Sequence, residues 1–232
     1  MARPGVQLSQ VVPWGRSLAE YVGMFALSES NLEKHILGCA DGPASFNAEM
    51  TARGHQVVSC DPIYVFSAQD IRLGFDETYA TMMAQMPAKR DNFVWDTIPS
   101  IEALGAMRQT AMGVFIRDIG CSQHGSRYVA SALPHLAFAD KAFDLALCSN
   151  FLFLYSEHLS GAFHVAALRE LCRVATEVRV FPLLDLDGRV SPRLAPALTA
   201  LRHEGFNATV RTVPYEFLKG ANEMLAITRT SE

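Results

Sequence analysis

Residues 35–61 read HILGCADGPASFNAEMTARGHQVVSCD, from His35 to Asp61, and the fold turns on how they are parsed. The apolar run His35-Ile36-Leu37 is too short for a helix and suits a buried strand. A turn rich in small residues follows, Gly38-Cys39-Ala40-Asp41-Gly42-Pro43-Ala44, then a helical segment to about Arg53, then Gly54. A second apolar run, Gln56 to Cys60, ends on Asp61. Strand, tight turn, helix, turn, strand and acid together make the pattern of a nucleotide-binding βαβ half. Such a turn leaves backbone N–H groups free for a carboxylate or phosphate, and an acid ending the second strand can accept both ribose hydroxyls. The stretch points to an adenosine-containing cofactor. A plain α/β scaffold with a sterically tight turn is the other reading it allows.

Working outward, the 232 residues fit one domain with insertions, or at most two small ones. Half are hydrophobic, enough for a substantial core. Net charge is −4, from 20 basic and 24 acidic residues with no block of like charge, which argues against a nucleic-acid partner. Cys39, Cys60, Cys121, Cys148 and Cys172 are odd in number, widely spaced and free of C-x-x-C, as expected for reduced thiols of a cytoplasmic protein. The seven histidines show no metal-ligand spacing, so no metal is expected. The N-terminal MARPGVQLSQVVPWGR lacks the apolar core of a signal peptide, and Leu145 to Tyr155 is too short to span a bilayer. A soluble protein without membrane contact is the expectation.

Residues 1 to about 13 read as a poorly ordered arm, and Ser17 to Leu27 as a helix with Leu18, Tyr21, Val22 and Phe25 on one face. Trp14 and Tyr21 read as packing residues. After Asp61 the strand rhythm stops for more than fifty residues. Ser67 caps a helix that Pro87 ends, and a second helix runs from about Ser100 to Asp118. Residues 63–120 therefore form a helical insertion or lid, too long for a plain crossover. Its Met-rich face (Met82, Met83, Met86, Met107, Met112) reads as core. Strands are expected at Arg127 to Ala130, Phe143 to Cys148, Val178 to Leu184, Thr209 to Val213 and Met224 to Thr228, and helices at Gly161 to Val174 and from Ser191-Pro192 onward. Two terminal strands without an intervening helix suit a mostly parallel sheet finished by an antiparallel hairpin strand.

With these segments in place, the chain resembles the class I S-adenosylmethionine-dependent methyltransferases over roughly Leu32 to Thr228. ILGCADGPA after the first strand, SCDP after the second and LPHLAFADKAFDLALCSNFLFLY around the fourth carry the likeness. VPWGRSLAEYVGMFALS and GPASFNAEM suggest an uncharacterised bacterial branch. The resemblance implies an α/β, Rossmann-like, single methyltransferase domain over residues 1–232, with S-adenosylmethionine as cofactor and S-adenosylhomocysteine as product. It places Gly38, Cys39, Ala40, Asp41 and Gly42 on the glycine-rich motif beside the methionine part. Asp61 and Pro62 fall at the ribose, Ser131, Ala132 and Leu133 near the adenine, and Asn150 and Phe151 at the methyl-transfer site. Two departures stand out. Gly38 takes the place of the family's acid at the end of the first strand, with Asp41 as the nearest replacement, and Ala40 and Ala44 stand where glycines are common.

Methyl transfer from a sulfonium is an in-line displacement that depends on alignment and exclusion of water, with a base where the acceptor carries a proton. His158, after the fourth strand, is the preferred base, and Tyr155 can orient an acceptor. Asp185 and Asp187 follow the fifth strand and read either as ligands for an amine or a metal or, the more usual case for two acids near Gly188, as simple turn residues. Tyr64, Trp95 and Arg108 are candidates for shaping a substrate pocket. The expected activity is methylation of a small-molecule acceptor. The alternative is a catalytically lapsed relative that binds a ligand or a protein partner.

Overall fold

A computed structural model describes residues 14–121 and 127–230; the arm expected over residues 1 to about 13 lies outside them. The first helix, α1 (Leu18–Phe25), opens with a capping box. Ser17 Oγ accepts the Glu20 N–H, and the Glu20 carboxylate accepts the Ser17 N–H. A single helical turn, α2 (Glu29–Leu32), leads into β1 (Ile36–Cys39), followed by α3 (Phe46–Ala52) and β2 (Val57–Cys60). A 3₁₀ turn over Pro62–Val65 then precedes α4 (Ala68–Lys89) and α5 (Ile101–Ile119), the two long helices between β2 and β3 (Tyr128–Val129). The remaining elements are β4 (Phe143–Ser149), α6 (Gly161–Val174), β5 (Ala175–Phe181), α7 (Leu194–His203), β6 (Phe206–Thr212) and β7 (Glu223–Arg229).

The seven strands form one sheet in the order β3-β2-β1-β4-β5-β7-β6. β1, β2, β3, β4 and β5 are parallel, while β7 runs antiparallel to both neighbours. Alternate residues of the central strands serve opposite faces. Leu37, Cys39, Cys60, Ala146 and Cys148 pack with α6 and α7 on one side. Ile36, Val57, Leu145 and Leu147 pack with α1 and α3 on the other. Both faces are covered, which explains why β1 and β4 read as nearly continuous apolar runs.

Several boundaries differ from the expectation. α4 does not stop at Pro87 but continues to Lys89, because a proline in the last turn removes only one backbone bond and Arg90 N–H still caps onto Pro87 O. β5 starts three residues early, at Ala175, where α6 passes into strand without a loop. It stops before Pro182, which has no N–H for the ladder. Thr176, Glu177 and Arg179 hide this strand from an apolar pattern. α7 begins at Leu194, not at Ser191-Pro192; Ser191 Oγ instead accepts the Arg193 N–H from the turn ahead of the helix. β6 begins at Phe206, three residues before Thr209. No helix among the described residues is long and apolar enough to cross a membrane.

Candidate functional site

A cavity of about 310 Å³ opens where β1, β2, β4 and β5 end. The segments at and beyond the ends of those strands and of β3 supply its floor: Ala40 to Pro43, Asp61 to Ile63, Ser131 and Ala132, Ser149 to Phe151, and Phe181-Pro182. Open α/β sheets bind ligands at this edge because the loops there converge while the strands stay fixed.

The β1 turn is built around one carboxylate. Asp41 is buried and accepts hydrogen bonds from Tyr21 Oη on α1 and Ser59 Oγ on β2, both at 2.5 Å. Its side chain folds back over Gly38. A Cβ on Gly38 would lie 2.0 Å from Asp41 Oδ2, so a residue with any side chain there would displace the acid. The space left by the missing side chain of Gly38 is thus the space that the Asp41 carboxylate fills. Burial raises the Asp41 pKa to about 6, against the lowering effect of the Ser59 and Tyr21 hydrogen bonds, and nearby Asp61 raises it further.

Ala40 and Gly42 both adopt left-handed backbone, at φ 55° and 53°. A Cβ added to Gly42 would meet nothing within 4 Å, so the glycine leaves open space at the cavity wall. Asp61 braces the turn from β2. Its Oδ2 accepts the Gly42 N–H at 3.0 Å and its Oδ1 accepts the Ile63 N–H at 2.9 Å. Burial raises its pKa despite these bonds. Two buried carboxylates without a basic partner among the described residues make this end of the cavity electronegative, which suits a cationic ligand group. A turn held open at Gly42, an acid at the end of β2 and this negative field fit an adenosyl sulfonium with its amino group.

The candidate residues separate into three groups. Ala40, Asp41, Gly42, Asp61, Pro62, Ser131, Ala132, Asn150, Phe151 and Tyr155 line the cavity. Gly38, Cys39 and Leu133 do not: Gly38 lies beneath Asp41, while Cys39 and Leu133 pack with the core on the α6–α7 side. His158 is exposed and outside the lining, 6.3 Å between ring centres from Tyr155, so its placement gives no support to a base there. Asn150 holds φ 51°, its amide N–H groups directed to Ser149 Oγ at 2.8 Å and Met24 Sδ at 3.4 Å.

Other expectations are corrected. Arg108 is fully buried in an ion pair with Glu20, Tyr64 Oη donates to Gly42 O at 2.7 Å from behind the turn, and Trp95 stands outside the lining. For Asp185 the turn reading agrees with the structure, its Oδ1 accepting the N–H groups of Asp187 and Arg189. Met82 and Met86, read as core, also wall the cavity, as do Trp14 and Tyr21. The sequence reading missed Arg16, Phe93, Tyr215 and Phe217. They come from segments far apart in the chain, and the one available signal was the basic Arg16 directly ahead of an apolar helix.

A 3-2-1-4-5-7-6 sheet with β7 reversed, and a cavity over the C-terminal ends of its parallel strands, defines the class I methyltransferase fold. The chain is 32% identical over 230 residues to the uncharacterized protein MJ0045 of Methanocaldococcus jannaschii, covering 97% of this chain and 99% of that protein, and it belongs to the same family. That relative is archaeal, so the family is not confined to bacteria. No family model matches the chain. Among solved structures, the magnesium protoporphyrin IX methyltransferase of Synechocystis PCC 6803, with bound SAM, is similar at a TM-score of 0.47 and 11% identity, covering 87% of this chain and 73% of that one. A putative S-adenosyl-L-methionine-dependent methyltransferase from Methanococcus maripaludis has a TM-score of 0.47 at 9% identity, covering 93% and 84%.

Proposed function

We propose that the protein transfers a methyl group from S-adenosylmethionine to a small-molecule acceptor, leaving S-adenosylhomocysteine. The observation that carries this reading is the paired arrangement of Asp61 at the end of β2 and the open turn at Gly42, joined by a 3.0 Å hydrogen bond over the cavity. Ala40 to Gly42 and Asp41 would hold the aminoacyl part, Asp61 the ribose, Pro62, Ser131 and Ala132 the adenine. When bound, the cofactor supplies an electrophilic methyl on a good leaving group. The chain's part is to align the acceptor and exclude water. Phe151 and Tyr155 wall the cavity past β4, Met82, Met86 and Phe93 close it from the insertion, and Tyr215 and Phe217 close it from the β6–β7 connection. Among these residues Tyr155 and Asn150 are the groups suited to orient an acceptor.

Calorimetric titration with S-adenosylhomocysteine tests the reading, with a reduced nicotinamide as control. Micromolar binding of the first alone is expected. Asp61→Ala should weaken it by about 1–3 kcal/mol, the worth of a charged hydrogen bond; unchanged affinity in a folded variant would remove Asp61 from the site. The lapsed-enzyme reading draws on Ala40 in a glycine position, but the left-handed turn is kept there in spite of the substitution.

A further inference from the structure

Under α1 lies a buried cluster in which two guanidinium groups converge on one carboxylate. Glu20 is paired in bidentate fashion with Arg108, at 2.6 Å to Nη1 and 2.5 Å to Nη2, and Arg108 also donates to Gly15 O. The same carboxylate accepts the Tyr215 hydroxyl at 3.0 Å and the Ser17 N–H at 3.0 Å, which fills its lone pairs. Arg16 approaches it only at 3.5 Å through Nε, an atom buried without a hydrogen-bond partner, while its Nη1 donates to Trp14 O at 3.0 Å. Two guanidinium groups therefore share one carboxylate. The nearby acid on α3, Glu49, accepts the Leu18 N–H and the Ser45 hydroxyl through Oε1, and among the described residues no ion pair joins it to Arg16.

Arg108 is sealed from solvent, whereas Arg16 keeps 15% of its side-chain exposure and borders the cavity. Burial and the Arg108 charge both lower the Arg16 pKa, with Glu20 only partly offsetting them. An excess buried positive charge is costly unless an anion meets it, and a guanidinium fork matches a carboxylate in geometry. Arg16 O accepts the Ser45 N–H at 3.0 Å, so this charge stands next to the turn that carries Asp41. We propose that Arg16 is the carboxylate-binding residue of this cavity, meeting a ligand's carboxylate with the charge that Glu20 leaves uncompensated. Two ligands present that chemistry: the aminoacyl end of the cofactor, which rests on the function proposed above, and an acidic acceptor, which does not.

The test compares ligands with and without the carboxylate on wild-type and Arg16→Gln protein, with folding checked by circular dichroism and the uncharged Arg16→Met substituted where the glutamine variant does not fold. The wild type should bind S-adenosylhomocysteine about ten- to a hundredfold more tightly than its decarboxylated analogue, and the variant should lose that preference. That result supports the proposal with the cofactor as source. The acceptor arm uses phenylacetate against phenylacetamide, with and without S-adenosylhomocysteine. Preference for the acid in wild type, lost in the variant, supports the proposal with the acceptor as source. Absence of both preferences in wild type, or their survival in the variant, overturns it. Binding of no adenosyl ligand by wild type would reject the proposed function, and the phenylacetate arm would still decide on Arg16.

Discussion

At the scale of single residues, the β1 turn is legible in part. The spacing of Gly42 and Asp61 marks the turn and the acid, and the structure joins them by a direct hydrogen bond. The reason for a glycine at position 38 is not legible, because nothing in the sequence says which way Asp41 points; the Asp41 carboxylate occupies the space a Gly38 Cβ would take. Ala40 carries a measurable strain. A left-handed residue with a Cβ costs about 1–2 kcal/mol, partly offset in the unfolded chain when glycine replaces it. Ala40→Gly should stabilise the protein by about 1 kcal/mol, which for this length raises Tm by about 2–4 °C. Differential scanning calorimetry checks it, and an unchanged or lower Tm would show that the turn relaxes around alanine.

Among elements, helices with a clean apolar stripe and a serine cap were placed within a residue or two. α6 was found at its observed bounds, Gly161–Val174, with Ser160 Oγ accepting the Phe163 N–H. β5 and β6 were displaced because polar side chains interrupt their patterns while both strands stay paired. The joining of distant elements escaped the sequence altogether. α1 is pinned to α5 by Glu20 and Arg108, and to β5 by Arg179, whose Nη1 donates to Phe25 O at 2.7 Å. Burial opposes ionisation of Glu20, but the Arg108 charge and hydrogen bonds prevail and hold its pKa at about 2. Removing the shared carboxylate leaves the Arg108 guanidinium buried without its partner, so Glu20→Leu should cost about 3–5 kcal/mol. Urea denaturation reads this directly, and a loss below about 1 kcal/mol would mean that solvent reaches Arg108 in the variant.

For the molecule as a whole, the acidic end of the cavity ties stability to pH. Asp41 titrates near 6 when folded, against 3.8 for an ordinary aspartate, so the folded form holds its proton more tightly. This contribution is fully present below about pH 4 and is lost as pH rises through 6. Asp41→Asn, which cannot ionise, should therefore gain stability relative to wild type between pH 4 and pH 7 in ligand-free protein. Urea midpoints at the two pH values check the sign; a difference constant with pH would place the titration elsewhere. The order of the sheet carries a separate consequence, for synthesis. β7 follows β6 in sequence, yet it lies inside the sheet between β5 and β6. Until residues 223–229 leave the ribosome, β5 presents an unpaired edge and β6 has no neighbour to join. An exposed edge is a template for pairing with another chain, so this part of the nascent sheet is most exposed to aggregation just before β7 slots in.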